Sequence, residues 1–318
     1  FGRDDPGGPI IADHGLAGGE RAVGYRLAAA LQARGCAAQP LLLLYDSVAC
    51  RDPLRLHPAS PLVQGLQEGM ERIGVSPSII GSGLITDFNL GDSWMFDGQG
   101  VAKHCAVAVP LGPAFEVVTE IMHGCRPASS FMTITRIEGA EVFELDGRPA
   151  CELIIERLGG EAALPTLSLS LTLGAKRGDP FAPFDENAYV NRLILRADRA
   201  RGSITIFEPD FTLGERVQLM SRDNQLMLDS VRRGTAAVAA RVRAGPPPDF
   251  CLYINCAGRA SVRSGAEQEE EEVMRSVLPE CLPLLGFYSG VEIAPMADGR
   301  SRPLDWTAVL AVVRRRQS

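Results

Sequence analysis

The sequence predicts an α/β protein of mixed α+β character, with two pseudo-repeated halves, residues 1–148 and 149–318, whose mixed and antiparallel sheets are covered by helices. Three observations predict this class. Apolar runs of strand length alternate with helical stretches, the segment 166–174 alternates apolar and polar residues ahead of a predicted meander, and one order of elements occurs twice. That order is helix, apolar strand, helix, glycine-broken strand, loop and apolar strand. It predicts two units around a pseudo-twofold axis, with a cleft between them.

The first copy of this order lies in the N-terminal half. Its helix, strand, helix and two further strands are predicted at residues 19–34, 40–46, 61–73, 78–87 and 104–110. Gly35 ends the first helix, and the continuous run LLLLY is typical of a buried strand. Ser60 is the predicted N-cap of the second helix, with Pro61 at its first helical position.

Antiparallel structure is predicted between the two copies. Two runs of period two on either side of residues 138–139 indicate a hairpin, and a helical pattern follows at 149–159. The alternating segment TLSLSLTLG predicts a strand at 166–174, and residues 189–223 predict an antiparallel meander.

The second copy occupies the last third of the chain. A helix capped by Asp223 ends at the run GPPP, and the strands FCLYINCAG, LLGFYSGVE and TAVLAVV follow, with a helix after the first of them. Gly81 and Gly286 each break a strand, and each is followed six residues later by a carboxylate, Asp87 or Glu292. This match predicts that both carboxylates line the cleft between two interlocked halves.

Composition argues against several classes of function. With 46% apolar and 22% charged residues among 318, the chain is expected to form a packed core. A net charge of −7 argues against nucleic-acid binding, which needs a basic face. No apolar run reaches the roughly 20 residues that span a bilayer, and the first residues show no signal-peptide pattern. The eight cysteines lack metal-site spacing, so we expect reduced thiols in a cytoplasmic protein without membrane contact.

Candidate ligand-binding residues lie at predicted strand ends, where α/β proteins form clefts. These candidates are Arg126, Cys256, Arg259, Tyr288, Glu292 and Asp87. A fixed arginine can clamp a carboxylate with two parallel hydrogen bonds, and an acidic residue can pair with an ammonium group. Together they predict a site for a small polar ligand such as an amino acid. Internal pairing of Arg259 with Glu292 is the alternative interpretation.

The sequence offers little for catalysis or metal binding. It contains no P-loop, no G-x-S-x-G and no H-E-x-x-H motif. A hydrolase or transferase using Cys256 is one alternative. The four histidines are far apart in sequence, so no metal site is predicted. A single histidine can hold haem, which leaves a haem-binding alternative with His123 or His104 as the axial ligand; otherwise no cofactor is expected.

The segments FCLYINCAGR and GFYSGVEIAP, with HGCRPAS and ELDGRPA upstream, resemble the FIST family over nearly the whole chain. The family usually has Gly-Glu in the last motif, whereas here Val291 precedes Glu292. The segment GSGLITD also departs from the GCSTAGE-like loop of the family, with Asp87 in the acidic position.

The resemblance implies a sensory domain of a kind found in bacterial signalling proteins and in some eukaryotic F-box proteins. Such domains are expected to bind small ligands, with amino acids suggested, and some members resemble nitric-oxide sensors that bind haem through a histidine. The resemblance establishes no enzymatic activity. We therefore expect a cytoplasmic sensor that binds a small molecule between its halves and acts through a signalling partner. The haem sensor, the Cys256 enzyme and a partner-binding scaffold without a ligand remain alternatives.

Overall fold

The structure, a computed structural model, describes residues 10–87, 89–279 and 282–316. Its helices in those ranges are α1 (Glu20–Ala33), α2 (Ala59–Glu71), α3 (Ala150–Leu158), α4 (Leu167–Ser170), α5 (Asn224–Arg243), α6 (Ser261–Ser264) and α7 (Glu270–Arg275). Its strands before α3 are β1 (Ile11–Asp13), β2 (Leu41–Asp46), β3 (Val48–Arg51), β4 (Leu54–Leu56), β5 (Ile79–Leu84), β6 (Met95–Phe96), β7 (Val101–Ala102), β8 (Ala106–Pro110), β9 (Phe115–Met122), β10 (Arg126–Pro127), β11 (Met132–Glu138), β12 (Glu141–Leu145) and β13 (Arg148–Pro149). Its later strands are β14 (Leu171–Lys176), β15 (Tyr189–Asp198), β16 (Ser203–Ile206), β17 (Arg216–Ser221), β18 (Pro248–Cys256), β19 (Leu284–Ser289), β20 (Val291–Pro295), β21 (Ser301–Leu304) and β22 (Ala308–Arg315). The predicted class of helices with mixed and antiparallel sheets is confirmed.

A six-stranded sheet, here the N-terminal sheet, has the order β1-β8-β2-β5-β20-β21. Only β2 and β5 are parallel, and the other neighbours are antiparallel. On one face Leu41 and Leu43 pack against Leu27 of α1 and Leu66 of α2. On the other face Leu42 packs against Leu252 and Ala311, which belong to β18 and β22 of the four-stranded sheet described next. Strand β2 is therefore buried on both faces, which explains its uninterrupted apolar run.

A four-stranded sheet, here the C-terminal sheet, has the order β19-β18-β22-β9. Strands β18 and β19 are parallel, and the other pairs are antiparallel. Helices α5 and α7 cover one face, where Val231 and Met274 join the core. The other face meets the N-terminal sheet through Ile80, Leu252 and Ala311. The two sheets thus stack face to face between two layers of helices.

The predicted pseudo-repeat is confirmed by the strand pairing. In the N-terminal sheet β2 lies between antiparallel β8 and parallel β5, and in the C-terminal sheet β18 lies between antiparallel β22 and parallel β19. The two halves also exchange strands. Strands β20 and β21 come from the second half but complete the N-terminal sheet, while β9 comes from the first half and pairs with β22. Neither sheet is complete without the other half.

The antiparallel region between the repeats forms a closed barrel. Strands β11, β12, β16, β15, β14 and β17 pair in that order, and β17 pairs with both β14 and β11 to close the ring. The barrel interior is filled by branched apolar side chains, among them Ile134, Leu173 and Ile204.

Two local predictions are wrong. Strand β14 does not extend over all of residues 166–174, because its neighbours pair with it only from Leu171 onward and the preceding backbone turns into α4. Ser60 is not the N-cap of α2, since the helix begins at Ala59. The carboxylate of Glu208, from the other half of the chain, caps this helix instead. It accepts hydrogen bonds from the amides of Ala59 and Ser60, at 3.0 and 2.9 Å, and from the Ser60 hydroxyl.

Candidate functional site

A cavity of about 230 Å³, here the central cavity, lies where strands of both halves end. Its walls include the residue directly after each of the four parallel strands: Ser47 after β2, Ile85 after β5, Ala257 after β18 and Gly290 after β19. The barrel side contributes Leu193. Carboxyl ends of parallel strands are the usual position of binding sites in α/β folds. The pseudo-repeat therefore brings two such ends together around one cavity.

Two hydroxyl groups lie in one wall of the central cavity. Tyr45 is fully buried and Ser47 nearly so, and neither hydroxyl has a partner in hydrogen-bond geometry among the described residues. Both lie against Gly83, where a Cβ atom would stand 2.6 Å from Tyr45 Oη and 2.3 Å from Ser47 Oγ. Burial raises the pKa of Tyr45 well above its usual value, and the neighbouring Ser47 hydroxyl, which lies close enough to interact with it but outside hydrogen-bond geometry, offsets this only in part. The Tyr45 hydroxyl therefore stays protonated and can donate.

Trp306 and Cys256 also line the central cavity. The indole ring of Trp306 lies against Gly258, where a Cβ atom would stand 2.4 Å from Trp306 Cζ3, so this close approach requires glycine. Trp306 Nε1 is buried without a hydrogen-bond partner among the described residues. Burial raises the pKa of the Cys256 thiol, which keeps it protonated at neutral pH. Cys256 therefore contributes an apolar surface, and the thiolate that nucleophilic catalysis would need is disfavoured.

His57 is a further polar residue in the wall of the central cavity. Its Nδ1 atom lies 2.9 Å from Glu20 Oε1, and its Nε2 atom lies 3.0 Å from His104 Nδ1. Both ring nitrogens are thus engaged, so the imidazole is held in one orientation in the cavity wall. His104 is placed in turn by its amide, which donates to Asp46 Oδ2 at 2.8 Å.

Arg259, a predicted ligand-binding residue, instead joins parts of the protein. It is 1% exposed, and its Nε donates to Glu270 Oε1 at 2.9 Å. Its Nη1 donates to the carbonyls of His123 and Trp306, at 3.1 and 3.0 Å. Although burial opposes its charge, Glu270 raises the pKa of Arg259. These contacts tie β18 to the first half of the chain and leave the guanidinium engaged inside the protein.

Glu292 lies in β20 and is fully buried. Its carboxylate accepts hydrogen bonds from the hydroxyl of Ser289 and from the amide of Thr307, the latter at 3.2 Å. Burial raises its pKa well above the usual value. The Glu292 carboxylate reaches the central cavity only through Ser289, which lines it.

The six predicted ligand-binding residues, all within the described ranges, do not converge on one cavity. Cys256 lines the central cavity. Arg126 lines another, of about 320 Å³, where its Nη1 lies 3.0 Å from Glu186 Oε1. Tyr288 lines a third, of about 360 Å³, beside β19. Asp87 is exposed and accepts hydrogen bonds from two amides of its own loop. Asp87 and Glu292, which were predicted to line one cleft together, therefore lie apart, one exposed and the other fully buried.

The two histidines of the haem alternative have no open face on the cavities above. His123 is buried, its Nδ1 accepts from the Cys125 amide at 2.8 Å, and the rings of Phe184 and Tyr189 pack against it. Burial lowers its pKa to about 4. His104 makes the contact with His57 described above.

Within the described ranges, no group of three or more His, Cys, Asp or Glu side chains is arranged to hold a metal ion. The seven described cysteines are free thiols, and Cys281 lies outside the described residues.

Sequence reasoning missed Tyr45, Ser47, His57 and Trp306. Tyr45 and Ser47 could have been found, because they end the LLLL run just as Cys256 ends FCLYIN. His57 and Trp306 carry no local signal, since their position at the cavity depends on the pairing of strands far apart in the chain.

Family comparison agrees with this architecture. The FIST N domain matches residues 9–148, and the FIST C domain matches residues 150–295. The chain belongs to the FIST family. FIST domains are sensory and signal-transduction domains. Among the described residues of this FIST protein, no helix is both long and apolar enough to cross a membrane.

Several curated relatives of this FIST protein are uncharacterized. They include Rv0628c of Mycobacterium tuberculosis, 27% identical over 80% of this chain, and Mb0898c of Mycobacterium bovis, 29% identical over 70%. MJ1623 of Methanocaldococcus jannaschii is 24% identical over 68%. The chain spans 64%, 56% and 43% of the lengths of these relatives. Among solved structures, a chorismatase crystal structure is similar over 96% of this chain and 73% of its own chain. The sequence identity is 10% and the TM-score is 0.34.

Proposed function

We propose that this FIST protein is a sensory domain that binds one small molecule in the central cavity and signals through a partner protein. The cavity wall is formed mainly by apolar side chains, including Leu56, Leu193 and Phe207, with a few polar groups. This lining favours a ligand with an apolar body and one polar end, such as an aromatic or aliphatic acid or an apolar amino acid.

The observation that carries this proposal is the pair of buried hydroxyls of Tyr45 and Ser47. A buried polar group without a partner costs about 1–3 kcal/mol, so proteins rarely keep two side by side. Both residues line the central cavity, where a carbonyl, hydroxyl or carboxylate oxygen of a ligand can accept from them. Ligand binding would compensate a cost that the protein otherwise bears.

The position of the central cavity supports a sensory role. Ser47 and Ile85 come from the first half, and Ala257 and Gly290 come from the second. The amide of Gly290 also donates to the carbonyl of Gly83 at 2.8 Å, at the point where the chain crosses between the two sheets. A ligand that contacts all these strand ends would stabilise one relative arrangement of the halves, which a partner could recognise.

The test is a thermal-shift screen followed by calorimetry. The panel contains phenylalanine, leucine, benzoate and benzyl alcohol, with glycine and glycerol as polar controls. A ligand at 100 times its dissociation constant adds about 2.7 kcal/mol and raises Tm by several degrees.

The double variant Tyr45→Phe, Ser47→Ala should weaken the best binder about tenfold to a hundredfold, because it removes both hydroxyl donors. The matched control is Tyr288→Phe, in the cavity beside β19. Unchanged affinity in the double variant, or loss of affinity in Tyr288→Phe, would place the ligand outside the central cavity.

A further inference from the structure

Arg222 is a buried cation without an anionic partner in the part of the chain that the structure describes. It follows β17 and is 6% exposed. Its Nε and Nη1 atoms are buried without a hydrogen-bond partner, and it forms no ion pair with any residue that the structure describes. Burial lowers its pKa to about 9, so it still carries its charge at neutral pH.

Two other deeply buried arginines, Arg192 and Arg259, have carboxylate partners. Arg192 lies 2.5 Å from Asp210 and 3.3 Å from Asp305, and Arg259 lies 2.8 Å from Glu270. A buried charge without a partner is strongly unfavourable, which is why such groups are normally paired. The missing counter-charge at Arg222 therefore indicates an anion that none of the described residues supplies.

Trp306 connects Arg222 with the central cavity. The guanidinium carbon of Arg222 stacks 3.5 Å from the centre of the indole ring, and the same ring lines the cavity. Arg222 itself is not among the lining residues, so the indole lies between the cation and the cavity. Trp306 has a φ of 57°, a left-handed conformation that is strained for a residue with a side chain. A displacement of Trp306 that relieves this strain would open the cavity toward Arg222.

We propose that Arg222 anchors an oxyanion, a carboxylate or a phosphate, at the polar end of the ligand that occupies the central cavity. The inference rests on the proposed function and deepens it by assigning the charge of the ligand. Trp306 shifts when the oxyanion reaches the guanidinium, and Arg222 then gains the hydrogen bonds that it lacks. The neighbouring thiols of Cys125 and Cys256 do not compete for the cation, because burial raises the pKa of both.

The experiment uses Trp306 as its own reporter. In a Trp94→Phe background, which removes the exposed second tryptophan, the intrinsic emission comes from Trp306. Benzoate, benzamide and phenyl phosphate are titrated separately. Benzoate and benzamide have nearly the same shape and differ in charge, so an oxyanion anchor should favour benzoate about tenfold to a hundredfold. The tighter of benzoate and phenyl phosphate identifies the oxyanion.

Three arginine variants locate the charge. Arg222→Met should abolish the preference for benzoate over benzamide and leave benzamide binding in place. Arg216→Met is the matched control, since Arg216 is exposed and also stacks on an aromatic ring, that of Phe131. Arg263→Gln tests the exposed arginine that lines the central cavity. Loss of the preference in Arg263→Gln rather than in Arg222→Met would overturn the assignment.

The thermal stability of the Arg222 variants shows whether Arg222 is a ligand anchor or a structural residue. Removing an unpaired buried cation should leave the Tm of Arg222→Met equal to or above that of the parent, whereas a structural arginine would lower it. If Arg222→Met fails to fold, the assignment to an anchor is overturned unless Arg222→Lys folds and keeps part of the benzoate preference. Equal binding of benzoate and benzamide to the parent overturns the anchor and leaves the cavity proposal intact. Failure of all three probes to bind overturns the anchor, and failure of the thermal-shift panel as well overturns the cavity proposal.

Discussion

Replacing Tyr45 with Phe should stabilise the protein, although Tyr45 is fully buried in its core. The change removes one oxygen atom and keeps the ring. That oxygen has no partner in hydrogen-bond geometry among the described residues. The chain provides a matched control in Tyr253, on the corresponding strand of the second repeat. Tyr253 is 3% exposed, and its hydroxyl donates to Glu270 Oε2 at 2.8 Å.

The two substitutions should have opposite signs. A buried hydroxyl without a partner costs about 1–3 kcal/mol, so Tyr45→Phe is expected to raise the free energy of unfolding by about 1–2 kcal/mol. A hydrogen bond to a charged group contributes about 1.5–3 kcal/mol, so Tyr253→Phe is expected to lower it by about that amount. The difference of about 3 kcal/mol between the variants is large compared with the error of an unfolding measurement.

Urea unfolding of both variants, followed by circular dichroism and by tryptophan fluorescence, measures this difference. The slope m should not change, because neither substitution alters the surface exposed on unfolding. Loss of 1 kcal/mol or more in Tyr45→Phe, as in the control, would refute the reasoning. It would show that the Tyr45 hydroxyl is already satisfied inside the protein, and the main support for ligand binding in the central cavity would fall with it.

Three further predictions concern the fold. Glu208→Ala should destabilise the protein by about 1–2 kcal/mol in urea unfolding, because two helix amides lose the carboxylate that caps them; unchanged stability would contradict the cap. Gly81→Ala should lower the free energy of unfolding by several kcal/mol, because its Cβ atom would stand 1.8 Å from the backbone oxygen of Leu43. At the equivalent position of the second repeat, Gly286→Ala meets only ordinary contacts at 3.7 Å and should lower it by less than about 1 kcal/mol in the same assay. Burial lowers the pKa of His123 from 6.5 to about 4, so between these pH values the unfolded chain binds a proton that the folded chain does not. This histidine should therefore lower the free energy of unfolding by up to about 3 kcal/mol as pH falls from 6.5 to 4, and His123→Asn should abolish that part of the pH dependence. An NMR titration midpoint of His123 near 6.5 would contradict this prediction.

Local pattern was enough to predict much of the fold. The apolar stripe of α1 and the LLLLY run of β2 are read from neighbouring residues, and both elements lie within one residue of the predicted bounds. The order of elements was enough to recognise the repeat, because each copy contains the same sequence of apolar strand, helix and second strand. In both copies these two strands form a buried parallel pair. The rule that sites form at strand ends placed Cys256 at the central cavity, and the same rule applied to β2 would have added Ser47.

Pairing across long distances in the chain could be known only from the tertiary structure. Arg259 was predicted to contact a ligand, yet it binds Glu270 and two carbonyls, and α2 is capped by Glu208 rather than by Ser60. Charged groups have no periodicity that reveals their partners, because one carboxylate can satisfy any donor that folding brings within 3 Å. Sequence pattern therefore decides which segments are buried. The three-dimensional arrangement decides which buried polar groups satisfy one another and which, such as Tyr45 and Arg222, keep atoms without a hydrogen-bond partner among the described residues.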